Sequence, residues 1–286
     1  MKLLSKFDPW KSVLCTCSAK LTINPYTGCD HGCLYCYASS YVRNFVDCRP
    51  KKELLARLKR EAGVLNGEIV TVSNSSDPYP NVEAATGLTR SCLEILSRSN
   101  CRLQIVSKSN LVARDIDLLR RVQSMVAITI TTDDDDLAKV IEPRAPPPSE
   151  RLKAVEKLVQ EGLPVAVRID PIIPFVNDSP ETLVRRVASL GVRHVTSSTY
   201  KVRMDNWKRL SALLPTVTDR LKPLYFDRGN QMHGYYYLQP DLRFQLLKHI
   251  RTLAVKHGMR FGTCREGLSE LNTGVCDGSW MLWNKS

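Results

Sequence analysis

Short apolar runs alternate along the chain with longer segments in which apolar positions recur every three or four residues. Six of the runs are rich in Val, Ile and Thr and are too short for helices, so they predict buried strands. These runs are residues 68–73, 103–107, 126–131, 165–170, 194–198 and 259–262. The helical spacing predicts helices over residues 53–61, 89–97, 113–122, 149–160, 181–190, 204–213 and 241–256.

Alternation of strands and helices over the whole length predicts an α/β fold with a parallel sheet. The nearly continuous hydrophobic strands agree with a sheet that is covered by helices. The pattern alone leaves open a full barrel, a partial barrel and an open doubly wound sheet. No internal repeat is visible, and we expect one domain over residues 1–286, with a core over about 20–260 and short extensions at 1–19 and 261–286.

An excess of basic residues bears on the choice of partner. The 286 residues include 41 Lys and Arg against 29 Asp and Glu, which gives a formal net charge of +12 at pH 7. This balance favours a polyanion such as DNA or RNA, with a generally basic surface as the alternative. No stretch approaches the roughly 18 apolar residues of a membrane span, and the N-terminus has no signal-peptide core. We therefore expect a cytoplasmic protein without a membrane partner.

Three of the ten cysteines follow the spacing Cys29-x3-Cys33-x2-Cys36. Three thiolates in a compact loop can hold one iron–sulfur cube and leave its fourth iron open to a small molecule. Gly28 and Gly32 allow the backbone to turn tightly around such a cluster. The alternative is a zinc site with His31 as the fourth ligand, although zinc ligands usually occur as two regularly spaced pairs.

This triplet, with an aromatic residue before its last cysteine, resembles the signature of the radical S-adenosylmethionine (SAM) superfamily. An ordered series of further segments over about residues 20–200 resembles the spore photoproduct lyase-like branch of that superfamily. These segments are residues 73–79 with Glu83, 89–90, 107–108, 128–132, 142–146 and 168–174. The resemblance implies a partial (β/α)6 barrel with short N- and C-terminal extensions.

The resemblance also implies a reaction. Cys29, Cys33 and Cys36 would hold a 4Fe–4S cluster whose open iron is chelated by SAM. A reductant such as ferredoxin or flavodoxin would supply the electron that cleaves SAM to methionine and a 5′-deoxyadenosyl radical, which removes a hydrogen atom from substrate.

Four residues match the SAM-binding positions of the family. Ser76 and Asp77 would meet the amino group of SAM, Lys108 its carboxylate, and Thr129 its ribose or carboxylate. They are predicted to cluster at the carboxyl ends of strands, where barrel active sites lie. The alternative for Ser76 and Asp77 is a turn cap before Pro78.

One departure from the lyase concerns hydrogen transfer. The lyase uses a thiol just upstream of its Ser-Asp motif, whereas residues 73–76 contain none. Tyr35 and Tyr37 remain as catalytic candidates beside the cluster. Arg144 and Arg168 are predicted to bind a substrate phosphate or carboxylate, or one of them to form an ion pair with Glu142.

Four other cysteines lie in the two extensions: Cys15 and Cys17 before the barrel, Cys264 and Cys276 after it. The first and last strands of an open barrel form its two edges, so these thiols can meet and hold an auxiliary iron–sulfur cluster or a zinc ion. The alternative is unpaired thiols in mobile ends.

The preferred function is radical SAM chemistry on a nucleic acid, as modification or repair. One alternative keeps the chemistry and changes the substrate to a protein, peptide or small molecule. The other is a non-catalytic metal-binding and nucleic-acid-binding module, which predicts no 5′-deoxyadenosine. Salt-dependent DNA or RNA binding distinguishes the first from the second.

Overall fold

The computed structural model describes residues 2–7, 14–73 and 76–283, and an eight-stranded sheet runs through them. The strands of the described chain are β1 (Ser5–Lys6), β2 (Leu21–Ile23), β3 (Tyr26–Thr27), β4 (Arg49–Pro50), β5 (Glu68–Val72), β6 (Cys101–Ser107), β7 (Ser124–Thr129), β8 (Val165–Ile172), β9 (His194–Thr199), β10 (Asn230–Met232), β11 (Tyr235–Tyr237) and β12 (Arg260–Thr263). The α-helices are α1 (Leu54–Ala62), α2 (Glu83–Thr86), α3 (Leu88–Leu96), α4 (Ile116–Leu119), α5 (Asp135–Ile141), α6 (Pro148–Gln160), α7 (Glu181–Ser189), α8 (Met204–Leu213), α9 (Pro215–Lys222) and α10 (Pro240–Lys256).

The strand order of the large sheet is β1-β2-β5-β6-β7-β8-β9-β12. Every neighbouring pair is parallel except β1 with β2. β1 and β12 are the two edges, so the sheet is open, as in a partial barrel. Two small antiparallel pairs, β3–β4 and β10–β11, lie outside it.

All six predicted strands are present within two residues of their predicted bounds, and the α/β parallel fold is confirmed. β2 adds a seventh parallel strand that its three residues were too short to reveal. Residues 113–122 are not one helix, because a 3-10 stretch (Asn110–Asp115) precedes the short α4. Within the described ranges, no helix has the length and apolar character that a membrane crossing demands.

The two faces of the sheet bury different sets of residues, because successive side chains of a strand point to opposite faces. On one face, side chains such as Val126 and Ile128 belong to the main hydrophobic core shared with the helices. On the other, Met125 and Ala127 pack against Met281 and Leu282 of the C-terminal segment. This segment therefore fills the lower end of the barrel interior and leaves space at the carboxyl ends of the strands.

Candidate active site

A cavity of about 230 Å³ lies at the carboxyl ends of the parallel strands. Nine residues singled out in the sequence line it together: Cys29, Cys33, Cys36, Tyr35, Tyr37, Ser76, Asp77, Lys108 and Thr129. The cysteine loop forms one wall, and the residues that follow β5 and β6 form the next. Asn74 and Ser75, upstream of the Ser-Asp motif, lie outside the described residues.

The cysteine loop needs its glycines. Gly28 has φ +85°, and a Cβ there would lie 2.3 Å from the Phe45 carbonyl oxygen. The next amide, of Cys29, donates to that same oxygen at 2.7 Å. Gly32 has φ +68°, and a Cβ there would lie 3.2 Å from Nε of Arg144. Any side chain at Gly28 would therefore push the first cysteine away from its position.

Burial dominates the acid–base behaviour of the three thiols. It raises the pKa of Cys29, Cys33 and Cys36, and that of Cys33 reaches about 12. The nearby carboxylates of Asp77 and Glu142 raise the pKa values of Cys29 and Cys33 further. The thiols are therefore neutral until a cation replaces their protons, as metal binding to cysteine requires.

The spacing of the donors bears on the kind of metal. The ligand atoms of Cys29, Asp30 and His31 lie within 4.8 Å of one another, whereas in the described chain the three thiols do not form such a group. One tetrahedral zinc with bonds of about 2.3 Å would bring its thiolates to about 4 Å apart. The thiolate ligands of an iron–sulfur cube lie farther apart than those of one zinc ion. Three thiols that are not all within 4.8 Å of one another therefore fit the cluster better than a single zinc ion.

Asp77 organises the turn after β5. Its carboxylate accepts from the Tyr79 amide at 2.9 Å, the Ser107 hydroxyl at 2.6 Å and the Lys108 amide at 2.7 Å. The turn-cap role considered for Asp77 is thus present, and the same side chain also lines the cavity. A carboxylate has about four acceptor positions, so one remains for a ligand ammonium. Ser76 donates to the Tyr26 carbonyl at 3.4 Å.

Glu142 is the centre of a buried charged cluster beside the cavity. It accepts from the hydroxyls of Tyr35 and Thr131 and forms an ion pair with Arg151. The ammonium of Lys108 lies 3.8 Å from Glu142 and 5.4 Å from the centroid of the Tyr35 ring. Burial opposes ionisation, but Arg151 and Lys108 outweigh it and lower the pKa of Glu142 to about 2.

The alternative in which Glu142 forms an ion pair with Arg144 or Arg168 was wrong. Glu142 pairs with Arg151 on α6 rather than with Arg144 or Arg168, because α6 packs back over the sheet and delivers its buried guanidinium there. Arg168 pairs with Asp170 two residues on along β8. Arg144 lies against Gly32, and its amide donates to the His31 carbonyl at 3.1 Å.

A sequence profile of the Radical SAM superfamily matches residues 23–187, which is more than half of the chain. The chain belongs to the radical SAM superfamily. It is therefore a radical SAM enzyme, and the superfamily implies a 4Fe–4S cluster and SAM as its cofactors.

Curated relatives of this radical SAM enzyme share its sequence over much of their length. An uncharacterised protein of Mycobacterium tuberculosis is 27% identical over 263 residues, which cover 83% of this chain and 74% of the relative. An uncharacterised protein of Methanocaldococcus jannaschii is 32% identical over 164 residues, which cover 56% of this chain and 63% of the relative.

Solved structures show the same fold. Spore photoproduct lyase complexed with dinucleoside spore photoproduct has a TM-score of 0.67 and 17% identity, over 90% of this chain and 78% of the lyase. The radical SAM methyltransferase TsrM of Kitasatospora setae, with tryptophan and a SAM analogue bound, has a TM-score of 0.57 and 13% identity, over 92% of this chain and 57% of TsrM. At these identities the likeness concerns the fold.

The cavity wall opposite the Ser-Asp turn was not foreseen from the sequence. It is formed by Asp170, Ser198, Lys201 and Arg209. Arg209 donates to the Cys36 carbonyl at 2.7 Å and so ties α8 to the cysteine loop. The sequence does place polar residues after the apolar cores of β8 and β9, which could have indicated this wall. Only the strand register, however, shows that these side chains face the cavity.

Tyr37 connects the cavity to the hairpin β10–β11. Its ring packs edge-on against Tyr235 with 5.8 Å between centroids. The guanidinium of Arg265 lies 5.7 Å from the Tyr37 ring and 5.5 Å from the Tyr235 ring. An arginine and two tyrosines therefore flank this side of the cavity.

The four cysteines of the extensions divide into two places. Cys17 Sγ lies 3.2 Å from Cys276 Sγ, and Cys15 forms a side-chain hydrogen bond with Cys17. Cys264 follows β12 and instead contacts Arg168 near the cavity. No three of these four thiols lie within 4.8 Å of one another in the part of the chain that the structure describes.

Proposed function

We propose that this enzyme holds a 4Fe–4S cluster on Cys29, Cys33 and Cys36, binds SAM beside it, and abstracts a hydrogen atom from a nucleic acid. When bound, the cluster supplies the electron that cleaves SAM to methionine and a 5′-deoxyadenosyl radical. The observation that carries the cofactor part is the convergence of nine sequence-selected residues on one cavity.

The residues around the cavity match the charges of SAM. The remaining acceptor position of Asp77 suits the SAM ammonium, and the partly exposed ammonium of Lys108 suits its carboxylate. Thr129 lines the same cavity and offers a hydroxyl to the ribose or carboxylate. The buried Glu142–Arg151 pair holds Lys108 near this position, so it acts as a positioning pair rather than as a ligand.

The two tyrosines have different parts in the proposed reaction. The hydroxyl of Tyr35 donates to Glu142, so this residue closes the buried cluster under the cysteine loop. Tyr37 lines the cavity on the side of Arg265 and Tyr235, where a substrate would enter. We therefore assign hydrogen transfer to Tyr37 and positioning to Tyr35.

Nucleic acid is favoured as substrate by the placement of cations. Arg209 lines the cavity with one third of its side chain exposed, Arg144 lies against Gly32 of the cysteine loop, and Arg265 covers Tyr37. Guanidinium groups bind phosphates, and the net charge of +12 attracts a polyanion from a distance. The solved lyase structure with a dinucleoside photoproduct agrees with this class of substrate.

The cofactor part is tested by product formation. Anaerobic protein is incubated with SAM and dithionite, and 5′-deoxyadenosine and bound iron are measured. We expect both to be lost when Cys29, Cys33 and Cys36 are replaced together by alanine, and both to be kept in Cys101→Ser, whose buried thiol donates to the Leu96 carbonyl as a serine also can. Turnover of SAM by the triple variant would refute the assignment.

The substrate class is tested by salt dependence. Binding of DNA and RNA oligonucleotides is measured from 50 to 200 mM salt, and each phosphate contact contributes a slope of about −0.9 to the log–log plot. Arg144→Gln and Arg265→Gln should each reduce the slope by about 1, while Lys153→Gln, an exposed lysine on α6, should not. Salt-independent or absent binding would favour a protein, peptide or small-molecule substrate, to be sought as the cell fraction that takes up deuterium.

A further inference from the structure

Two cysteines from opposite ends of the chain touch below the cavity. Cys17 precedes β2 and Cys276 follows β12, and their Sγ atoms are 3.2 Å apart although 259 positions separate them. Cys276 is 2% exposed and Cys17 is partly buried. The contact therefore joins the segment before β2 to the segment after the edge strand β12, and neither thiol has a part in the proposed radical chemistry.

The two segments that carry these thiols are held together by bonds that do not involve sulfur. Lys20 forms a buried ion pair with Asp277, and Ser18 Oγ lies 2.9 Å from Ser279 Oγ. The Cys276 carbonyl accepts from the Thr196 hydroxyl at 2.8 Å. These bonds fix the approach of the two segments independently of the sulfur atoms, so the thiols face each other before any bond forms between them.

The backbone at Cys276 also packs closely against the last strand, β12. A Cβ at Gly262 of β12 would lie 2.5 Å from the Cys276 Cα. Only glycine at this position allows the C-terminal segment to come so near the sheet. The position of Cys276 therefore depends on a specific residue of the strand beneath it.

A single metal ion finds too few ligands here, and the 3.2 Å between Cys17 Sγ and Cys276 Sγ is too short for two ligands of an iron–sulfur cube, whose thiolates lie farther apart than those around one zinc ion. Cys15 adds a third thiol next to Cys17, yet Cys15, Cys17 and Cys276 do not all lie within 4.8 Å of one another in the described chain. The Asp277 carboxylate is taken by Lys20. The ring of His194 contacts the Cys276 carbonyl at 3.3 Å and the Trp280 indole nitrogen at 3.3 Å, so neither nitrogen faces the thiols.

We propose that Cys17 and Cys276 form a reversible disulfide that joins the segment before β2 to the segment after β12. A disulfide has an S–S bond of about 2.05 Å, so the sulfur atoms must approach by about 1 Å. The oxidant is a low-molecular-weight disulfide. The Cys17 thiolate attacks it and releases one small thiol, and the Cys276 thiolate then attacks the mixed disulfide and releases the second. The protein pair loses two electrons and two protons, which convert the small disulfide into two thiols.

The disulfide would stabilise the floor of the active site, by which we mean the layer of Met281 and Leu282 packed on Met125 and Ala127. Met281 and Leu282 follow Cys276 and fill the barrel interior below the cavity, and β2 leads from Cys17 toward the cysteine loop. A covalent link between these segments holds the C-terminal segment against β2. Oxidised protein is therefore expected to unfold at a temperature higher by roughly 5 °C, because the bond closes nearly the whole chain into a loop.

The test uses anaerobically prepared protein with its cluster loaded, so that the cluster covers Cys29, Cys33 and Cys36. The protein is treated with oxidised glutathione, free thiols are alkylated, and a non-reducing tryptic digest is analysed by mass spectrometry. Trypsin leaves Cys15 and Cys17 in peptide 12–20 and Cys276 in peptide 266–285. We expect these two peptides to be linked, two fewer alkylated cysteines, and full reversal by dithiothreitol.

A matched pair of variants identifies the bonded sulfur. Cys15→Ser should keep the linked peptides, and Cys17→Ser should abolish them. The proposal is overturned if both peptides stay fully alkylated after oxidation, or if Cys15→Ser rather than Cys17→Ser removes the link. It is also overturned if the untreated protein carries zinc or iron that Cys276→Ser loses while Cys101→Ser keeps it, because the thiols would then be metal ligands.

Discussion

Replacing Glu142 by glutamine tests the buried charged cluster beside the cavity. The substitution keeps the size of the side chain and its capacity to accept from Tyr35 and Thr131. It removes the negative charge opposite Arg151, whose side chain has no exposed surface. Arg151 would then remain as a buried cation without a counter-ion, which is the costly way of breaking an ion pair.

Two lines of reasoning give a similar loss in the free energy of unfolding for Glu142→Gln. Removing one partner of a buried ion pair costs about 3 to 5 kcal/mol. The pKa of Glu142 falls from 4.5 to about 2 on folding, and at 1.36 kcal/mol for each pKa unit this corresponds to about 3 kcal/mol of stabilisation of the charged form. We therefore expect Glu142→Gln to lower the free energy of unfolding by about 3 kcal/mol at pH 7.

The pH dependence of this loss follows from the direction of the shift. The pKa of Glu142 is lower in the folded protein, so its stabilising contribution is complete above about pH 4.5 and is lost as the pH falls through about 2. The difference between wild type and Glu142→Gln should therefore be constant from pH 6 to pH 8.

The assay is urea unfolding of anaerobic protein, followed by tryptophan fluorescence. Glu150→Gln is the matched control, because Glu150 pairs with Lys153 at 2.8 Å on the exposed face of α6. Such a surface pair contributes about 0.5 kcal/mol or less. A loss below about 1 kcal/mol for Glu142→Gln, or one no larger than that of Glu150→Gln, would refute the reasoning.

Three other substitutions probe the loop, the floor and the SAM pocket. Gly28→Ala should lose most bound iron, because its Cβ would meet the Phe45 carbonyl. Gly87→Ala is the control and should keep its iron, because Gly87 also has a positive φ, +59°, but has open space around it. Equal iron in the two variants would contradict the steric argument. Asp277→Asn should lower the free energy of unfolding by about 3 kcal/mol, because burial raises the pKa of Asp277 but its ion pair with Lys20 outweighs that effect and lowers the pKa to about 2. An unchanged urea midpoint would contradict this. Lys108→Met should weaken SAM binding at least about tenfold in equilibrium dialysis, and a loss equal to that of Lys153→Met would contradict its role.

The long buried strands were predictable because burial on both faces leaves a continuous apolar run. Every residue of β7 is buried, and its run of Val, Ala and Ile is visible without a structure. β2 has only three residues, so its partners rather than its own pattern define it. The same limit applies to α5, which begins at the cap formed by Asp134 within a run of four aspartates that carries little apolar periodicity.

The candidate site was predictable where its residues belong to motifs that resemble those of a known family, and not where a contact depends on how distant segments pack. The cysteine triplet and the Ser-Asp turn are local motifs. The pairing of Glu142 with Arg151 depends on how α6 packs, and the contact of Cys17 with Cys276 depends on closure of the whole barrel. Spacing placed four cysteines in the extensions, but only the strand register separates Cys264 from the other three.

The interior of the barrel is divided into a closed floor and an open cavity by the size of its inward side chains. Along β7, Met125 and Ala127 face the floor, and Thr129 lines the cavity. Ala127 is small, and a Cβ at Gly278 would already lie 3.3 Å from the Met125 side chain. Gly278 therefore allows the C-terminal segment to lie close to β7, where Met281 and Leu282 pack against Met125 and Ala127. The polar ends of the strands are left for ligands because the chain's own terminus has filled the apolar space beneath them.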